Sequence, residues 1–415
     1  MDFDDTPEEA AFRAEARAWL AANAAPRAYD ESPETPLGER ADAETVRAAQ
    51  AWQAKKFDTG FACITWPREY GGRGSTPIQN VIWHQEEARF RTPPNLFLIG
   101  IGMAGPTFLV HGSEEQKRRY LPAMARGDEI WCQLFSEPGA GSDLAGLRTS
   151  AVRDGEHWIV NGQKIWTTGA QYCDFGILVA RTDPDLPKHA GLTYFIVDMN
   201  APGIEVRPIQ QINGGTGFNE VFFSDVNVPD HNRVGAVGNG WAVAIATLMN
   251  ERASTSNLGG VRYLPRLFEL CSELPLGAGS ALQNPAVRQR LADFTVRGMG
   301  LRTTGYRILT ALSHGGIPGP EASLGKLAGA RLAQEMADFA LELQGSAGMT
   351  LGAPETPQQS EWQELCLLMP GLRIAGGTDE ILRTIIAERV LRLPPEPRPD
   401  KDIAFREVPM GPTNR

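Results

Sequence analysis

The spacing of hydrophobic side chains divides the chain into three stretches, followed by a tail without regular spacing. Residues 1–128 carry apolar positions at helical spacing, beginning with a capping box at Thr6. Residues 129–240 contain short strand-like runs separated by Gly, Pro or Asp. Helical spacing returns over 241–393, and the tail 394–415 is charged and rich in proline. We expect a helical domain, a compact β-domain, a second helical domain and an extended or partly disordered tail.

Individual elements can be predicted within the last two domains. Helices are expected over about 241–273, 285–315, 320–347 and 378–392. Strands are expected in the runs FGILVARTD, LTYFIVDM, IEVRPI and NEVFFSDVNVP. The Asn161–Gly162 pair favours a hairpin turn between two strand-like runs, because both residue types tolerate positive φ.

Composition narrows the class of protein. Of the 415 residues 42% are hydrophobic and 22% are charged, as in an ordinary globular protein. No apolar run is long enough to span a membrane, and the acidic N-terminus has no signal-peptide pattern. A net charge of −10 without a long basic run argues against nucleic-acid binding. Five widely spaced cysteines without a CxxC pair favour reduced thiols in a cytoplasmic protein, and no His or Cys cluster suggests a metal site.

One apparent nucleotide-binding motif has the wrong surroundings. Gly100, Gly102 and Gly105 form G-x-G-x-x-G after an apolar run. Pro106 follows at once, and no strand–helix–strand unit surrounds the motif. We therefore expect these glycines to allow close packing at a helix contact.

The stretch FSEPGAGSD (135–143) is a better candidate for ligand binding. Its glycines let the backbone approach a ligand, and successive N–H groups in such a turn can bind an anion. A purely structural turn explains the same residues. The run NGQKIWTTGA follows about two dozen residues later and places an indole and two hydroxyls on a strand of the same domain. Together these groups suit a planar cofactor that accepts hydrogen bonds.

The chain resembles the acyl-CoA dehydrogenase family over nearly its whole length. The resemblance rests on five stretches in the family's order: EEQKRRYLPAMARG, FSEPGAGSD, NGQKIWTTGA, FNEVFFSDVNVP and GGTDEILRTIIAERVL. It implies an α+β fold with an N-terminal helical domain, a middle β-barrel and a C-terminal four-helix bundle. It also implies FAD as cofactor, an acyl-CoA substrate, a homodimer or homotetramer, and an electron-transfer flavoprotein as acceptor.

The resemblance assigns roles within the β-domain. Gln133, Phe135 and Ser136 match the strand that lines the flavin ring, with Ser136 replacing a frequent threonine. Gly141 and Ser142 match the loop at the phosphates of the flavin and the substrate.

Further matches lie on the next strand and near the C-terminus. Trp166 and Thr168 match residues that pack against the flavin. Thr378 and Glu380 match a turn that contacts the adenosine half of FAD. The family's arginine-phenylalanine-glycine motif for the neighbouring subunit's FAD is not recognisable, and Glu342 stands where a glutamine is frequent.

The family's chemistry removes a proton from Cα of the thioester and transfers a hydride from Cβ to flavin N5. Many members carry the base just before the Gly-Thr of the C-terminal turn, but here that position is Gly376. A second known position matches Glu251, with Arg252 and Ser142 as substrate-binding matches. Glu251 also shares a helix face with Ala244 and Leu248 at i, i+4 and i+7 spacing.

Several alternatives stay open at this point. Glu251 could instead form a structural ion pair, and Asp379 and Glu380 are the next candidates for the base. The chain could be a catalytically silent subunit that completes a partner's FAD site, or an oxygen-using acyl-CoA oxidase or flavin monooxygenase of the same fold. The acyl group is not set by the sequence, although Gly376 leaves space for a branched or bulky one, and its backbone N–H remains available to the thioester carbonyl.

Overall fold

The computed structural model describes residues 5–27, 41–255, 260–313, 319, 323–351 and 357–409. Within these ranges the helices, in chain order, are α1 Pro7–Asn23, α2 Ala43–Asp58, α3 Pro77–Glu87, α4 Gly105–His111, α5 Glu114–Arg126, α6 Gly240–Thr255, α7 Leu264–Glu273, α8 Pro285–Ser313, α9 Ser323–Gln344, α10 Glu361–Leu372 and α11 Asp379–Ile385. The strands are β1 Trp131–Leu134, β2 Ser150–Asp154, β3 His157–Thr168, β4 Phe175–Arg181, β5 Leu192–Asp198, β6 Ile204–Pro208, β7 Phe218–Pro229, β8 Arg233–Val234, β9 Pro275–Leu276 and β10 Gly279–Ser280.

The β-domain is built on one sheet with the order β6-β7-β3-β2-β4-β5-β8. Strand β1 joins it by pairing in parallel with β4, which places Gln133 opposite Ile177. Nearly every residue of β4 and β5 is buried, so these strands read as continuous apolar runs and not as an alternating pattern. The strand predictions for β4, β5, β6 and β7 are confirmed.

Tertiary contacts group the chain into two units. The first contains Met1–Leu37, Thr76–Arg91 and Arg252–Pro394, and the second contains Gly38–Ser75, Thr92–Glu251 and Pro395–Arg415. The boundaries 1–128, 129–240, 241–393 and 394–415 stay a prediction. No helix in the described ranges is both long enough and apolar enough to cross a membrane.

Helix starts follow the local signals in the sequence. The Thr6 hydroxyl accepts a hydrogen bond from the backbone of Glu9, whose side chain caps Thr6 in return, and Pro7 occupies the first helical position. Ser113 and Gln116 form the same reciprocal pair at the start of α5. Such caps involve residues three positions apart, so the sequence alone is sufficient to predict them.

The hairpin turn predicted at Asn161–Gly162 is wrong. Both residues lie inside the continuous strand β3, where the register against β7 shifts between Val160 and Gly162. A Cβ on Gly162 would lie 2.4 Å from Thr149 Oγ1, so close backbone approach explains the glycine. The turn between β2 and β3 falls earlier, at Gly155 with φ 59°.

The helix predicted over 241–273 is divided in two. A short 3₁₀ turn at Gly260–Tyr263 precedes α7, and Pro265 lies in the first turn of that helix. Proline lacks an N–H and clashes with the preceding turn, so it favours a new helix start over continuation. Helix α10 was not predicted at all.

The glycines of the G-x-G-x-x-G stretch pack against aromatic rings. Gly100 lies in a helical turn whose neighbours include Trp131, and Gly105 begins α4. A Cβ on Gly105 would lie 2.1 Å from the ring of Trp66. The expected packing role is confirmed.

Candidate active site

The glycine-rich loop after β1 is fixed by a buried ion pair. Lys164 on β3 has no exposed surface, and its Nζ donates to Glu137 and to the carbonyl of Phe135, each at 2.9 Å. The Glu137 carboxylate also accepts from the backbone N–H groups of Arg148 (2.6 Å) and Thr149 (2.8 Å). One carboxylate therefore joins the two ends of the loop to the sheet.

The environment of this pair shifts both pKa values downward. Burial raises the pKa of Glu137, but the charge of Lys164 and the N–H donors outweigh burial and hold it below the usual value. Burial lowers the pKa of Lys164 to about 8, although the carboxylate opposes that shift. Both groups are charged at neutral pH. Glu137 and Lys164 lie within the quoted motifs, yet sequence reasoning gave neither a role, because their pairing spans 27 positions.

The loop leaves its backbone open to a ligand. A Cβ on Gly139 or Gly141 would meet no atom within 4 Å, and Ser142 is exposed. Ala140 is buried and exchanges two backbone hydrogen bonds with Glu137, which holds the turn closed. The combination of a rigid base and an exposed glycine backbone can accept a phosphate.

The end of β3 presents an indole to solvent. Trp166 is 56% exposed and has φ 61°, an uncommon conformation for a bulky residue, at a point where the register against β7 shifts. Thr168 is half-buried, and the buried Oγ1 of Thr167 has no hydrogen-bond partner among the described residues. An exposed ring close to the half-buried Thr168 fits a planar ligand with polar edges such as the flavin of FAD.

Strand β1 meets helix α6 at a hydrogen bond between two predicted site residues. Gln133 Nε2 on β1 donates to Glu251 Oε2 at 3.2 Å, and both side chains are half-buried. On the same face of α6, Ala244 is buried and Leu248 packs against the core, as the helical spacing predicts. The side chain of Arg252 lies outside the described residues, so its substrate-binding role stays a prediction.

A buried hydroxyl network anchors α6 one turn before Glu251. Thr247 Oγ1 lies 3.0 Å from Thr107 Oγ1 on α4 and 3.0 Å from the Tyr194 hydroxyl on β5. All three side chains are fully buried. Burial raises the pKa of Tyr194 above its usual range, so the phenol stays protonated and remains a donor.

The other flavin-lining matches lie close in sequence to this contact. Phe135 is buried and meets the ring of Tyr194 edge to face at 5.9 Å. Ser136 is half-buried, and its carbonyl accepts from Ile165 of β3 at 2.9 Å. The β1 end, the loop and β3 thus form one continuous region of the second unit.

The C-terminal turn belongs to the first unit. Gly376 and Gly377 have φ values of 64° and 92°, and Lys326 Nζ donates to the Gly377 carbonyl at 2.6 Å. The Thr378 hydroxyl caps α11 by accepting from the Ile381 N–H at 3.2 Å. Both glycines occupy the left-handed region, which a side chain would strain.

The acidic residues after this turn differ sharply in environment. Asp379 is buried and pairs with Arg373 at 2.7 Å. Glu380 is exposed and lies 3.8 Å from Arg383 on the helix surface. Glu342 on α9 is also exposed. Neither acid beside the turn is half-buried, whereas Glu251 is half-buried and accepts a hydrogen bond from Gln133.

Three family models match the chain in succession. The N-terminal domain of acyl-CoA dehydrogenase matches residues 6–128, the middle domain matches 132–226, and the C-terminal domain matches 238–391. The chain belongs to the acyl-CoA dehydrogenase family, and it is an oxidoreductase with that family's α+β fold.

Individual relatives extend this result. The acyl-CoA dehydrogenase IpdE1 of Mycobacterium tuberculosis is 38% identical over 390 residues, covering 93% of this chain and 98% of the relative. Among solved structures, the Tcur3481-Tcur3483 steroid ACAD aligns with a TM-score of 0.79 at 27% identity, over 95% of this chain and 100% of the other. The ChsE4-ChsE5 complex of Mycobacterium tuberculosis aligns with a TM-score of 0.78 at 30% identity, over 95% and 100%.

Proposed function

We propose that the protein oxidises the α,β bond of an acyl-CoA thioester with FAD, and that Glu251 removes the α-proton. The hydrogen bond from Gln133 to Glu251 is the observation that supports this proposal best. It places a half-buried carboxylate beside the strand that matches the family's flavin-lining segment. A carboxylate held this way, partly shielded from water, is suited to general-base catalysis.

The alternatives to Glu251 are weaker on physical grounds. Position 376 has no side chain. The Asp379 carboxylate is buried and held by Arg373, so it is not free to turn towards a substrate. The Glu380 side chain is 78% exposed and lies beside Arg383 on the helix surface, so it is not shielded from water.

Other residues are proposed to orient the base and to bind the substrate and the cofactor. Gln133 would orient the Glu251 carboxylate. By the resemblance, the Gly376 N–H would donate to the thioester carbonyl, where enolate charge develops. Gly141 and Ser142 would hold phosphates, Trp166 and Thr168 would pack against the flavin, and Thr378 and Glu380 would contact the adenosine half of FAD. When bound, FAD supplies the acceptor for the hydride that leaves Cβ.

An anaerobic titration tests the reaction itself. Purified protein is expected to be yellow and to lose its flavin absorbance when a suitable acyl-CoA is added, with the matching enoyl-CoA as product. A yellow protein that forms no enoyl-CoA with any thioester would contradict the proposed reaction. A colourless protein that cannot be loaded with FAD would contradict the cofactor.

For the substrate, we infer a branched or bulky acyl group. Gly376 removes a side chain from the turn that meets the thioester in relatives, and one similar structure is described as a steroid ACAD. Larger acyl groups bury more apolar surface, so kcat/KM should be higher for branched or bulky thioesters than for straight-chain ones. A panel of straight, branched and polycyclic thioesters decides this point, and exclusive preference for short straight chains would refute it.

A second candidate is a subunit that shares its FAD site with a related chain. Two of the similar structures are described by paired names, and the family's motif for the neighbouring subunit's FAD is not recognisable here. Retention of one FAD per chain by the protein alone, as a homodimer or homotetramer, supports the self-sufficient enzyme. Recovery of flavin only with a related partner supports the shared site.

The electron acceptor is proposed to be an electron-transfer flavoprotein, with a cytoplasmic setting that the five free cysteines support. Slow reoxidation of the reduced flavin in air agrees with this acceptor. Reoxidation by oxygen at the rate of turnover would instead indicate an oxidase or monooxygenase.

A further inference from the structure

We propose that Lys188 and the C-terminal segment 395–409 position the glycine-rich loop 139–143 and thereby set the affinity for phosphate-bearing ligands. This inference rests on the proposed role of that loop in binding FAD and acyl-CoA. Lys188 would act as a positioning residue, since its contacts are to the loop and to the tail.

Lys188 connects the loop to the tail by two ion pairs. Its Nζ lies 3.0 Å from both oxygens of Asp143 and 2.6 Å from Asp400 Oδ2. The lysine side chain is only 11% exposed, whereas Asp143 is 63% exposed and Asp400 30%. The cation is therefore held in a nearly buried position, and Asp143 follows Ser142 directly in the loop.

The tail itself is attached to the β-domain by backbone hydrogen bonds. The Phe405 N–H donates to Leu186 O at 2.9 Å, and the Arg406 N–H donates to Pro184 O at 3.0 Å. Pro187 and Ala404 form an antiparallel bridge. These contacts fix the segment that carries Lys188, so the lysine has an anchored backbone as well as two carboxylate partners.

A buried arginine joins the tail to the far end of the loop. Arg181 is 5% exposed, and its guanidinium donates to the carbonyls of Ala145, Leu147 and Lys188. The ring of Phe405 covers it, with the guanidinium carbon 3.6 Å from the ring centroid. The Arg181 Nε has no hydrogen-bond partner among the described residues, and the aromatic face of Phe405 covers the guanidinium.

Both connections hold the chain on the C-terminal side of the exposed glycines, at Asp143 and at residues 145–147. Asp143 is held by Lys188, and residues 145–147 are held by Arg181 under Phe405. A Cβ on Gly139 or Gly141 would meet no atom within 4 Å, so among the described residues only the Ala140 contacts with Glu137 hold the turn on the N-terminal side of these anchors. Loss of the tail contacts should therefore loosen the phosphate-binding loop while leaving Glu251 and Gln133 in place.

Point variants of the full-length protein separate these effects. We expect Lys188→Met and Phe405→Ala to raise the KM for acyl-CoA and the dissociation constant for FAD about five- to tenfold, with kcat within about twofold of wild type. Lys188→Arg should recover part of the affinity because it keeps both carboxylate partners. Asp400→Asn, a milder change at a partly exposed partner, should give a smaller increase, about two- to threefold.

Arg406→Ala is the matched control. Arg406 pairs with Asp185 in an ion pair in which both side chains are mostly exposed, and its backbone contact is unaffected by the substitution. We expect wild-type KM and FAD affinity for it.

Two results would overturn the inference. One is unchanged FAD affinity and KM in both Lys188→Met and Asp400→Asn, and the other is a fall in kcat at unchanged KM. FAD affinity is measured by fluorescence, which needs no turnover. If the proposed function were wrong, the wild-type protein itself would fail to bind FAD or to oxidise acyl-CoA, so the two failures can be distinguished.

Discussion

The central residue contact joins a neutral amide to a carboxylate. Gln133 donates to Glu251 across 118 positions of sequence, so no local pattern could have predicted the pair, although each residue was singled out separately. A hydrogen bond to a charged acceptor is stronger than one between neutral groups. Here it fixes the direction of the carboxylate.

Gln133→Leu tests this orienting role. Loss of the amide donor should lower kcat about tenfold or more, because a hydrogen bond to a charged group contributes about 1.5–3 kcal/mol. Steady-state kinetics with the best thioester would measure it, with FAD content checked by absorbance. Gln163→Leu is the control, since it removes a similar amide donor from Glu220 at 2.8 Å elsewhere on the sheet. Equal kinetics for both variants would contradict the orienting role of Gln133.

The buried pair of Lys164 and Glu137 predicts a stability change. Lys164→Met leaves a carboxylate partly buried without its cation, which should lower the free energy of unfolding by about 3 kcal/mol at pH 7. Urea unfolding measures this loss. An exposed pair such as Arg207 with Glu205 should contribute less than about 1 kcal/mol, so Arg207→Met serves as the comparison. Similar losses in the two variants would argue against a structural role for the buried pair.

The same lysine predicts a pH dependence with a definite sign. Its folded pKa of about 8 lies below its ordinary value, so between those values the unfolded chain binds more protons than the folded chain. Stability must then rise with pH in that window. The difference in unfolding free energy between wild type and Lys164→Met should grow by about 2 kcal/mol from pH 8 to pH 10. A constant or shrinking difference would contradict the lowered pKa.

At the scale of elements, helix α6 carries the proposed base on a fixed support. Thr247 lies one turn before Glu251, and its hydroxyl joins α6 to Thr107 on α4 and Tyr194 on β5. Buried hydroxyls that lose a partner destabilise a protein, so such a network fixes the position of the helix. The helix face with Ala244 and Leu248 then determines where Glu251 points.

Thr247→Val keeps the shape of the side chain and removes the hydroxyl. We expect a loss of about 1–3 kcal/mol in unfolding free energy, because Tyr194 and Thr107 lose a buried partner. A moderate fall in kcat should accompany it as α6 shifts. Thr303→Val provides the contrast, since Thr303 is exposed and its hydroxyl bonds only to Met299 O of its own helix. If Thr247→Val lost no more stability than Thr303→Val, the result would contradict a stabilising role for the hydroxyl network.

The elements also mark the limit of prediction from sequence. The cap at Thr6 depends on neighbours three residues away, and it was predicted correctly. Gly162 was misread, because a bulge over Thr149 uses the same residue types as a hairpin turn. Helix α10 was missed because it contains Pro370 and Gly371, which normally end a helix. Pairs such as Lys164 with Glu137 lie far apart in sequence, so they could be recognised only from the folded structure.

At the scale of the whole molecule, the family fold was predicted from motif order and helical or strand-like spacing. The C-terminal tail was expected to be extended or partly disordered, and its residues 400–406 contact the β-domain through Asp400 and the backbone of Phe405 and Arg406. Phe405 is buried there by contacts with Arg181 and Arg148, and a single aromatic residue in a Pro-rich segment did not signal this.

Cofactor removal gives a prediction for the whole molecule. A ligand that binds only the folded state stabilises it by RT ln(1 + L/Kd), where L is the free ligand concentration. Protein stripped of FAD should unfold at a lower temperature, and FAD at about 100 times its dissociation constant should add about 2.7 kcal/mol. Calorimetry of stripped and reloaded protein measures this, with free riboflavin as the control ligand. Identical unfolding temperatures would contradict FAD binding by the native protein.

The role of Glu251 is tested most directly by single-turnover reduction of the flavin under anaerobic conditions. Glu251→Gln should keep wild-type FAD content and thermal stability but slow the loss of flavin absorbance at least about 1,000-fold. Glu220→Gln, at a carboxylate bonded to Gln163 on the sheet, should reduce its flavin at the wild-type rate. Reduction of Glu251→Gln by acyl-CoA at the wild-type rate would contradict the assignment of Glu251 as the base.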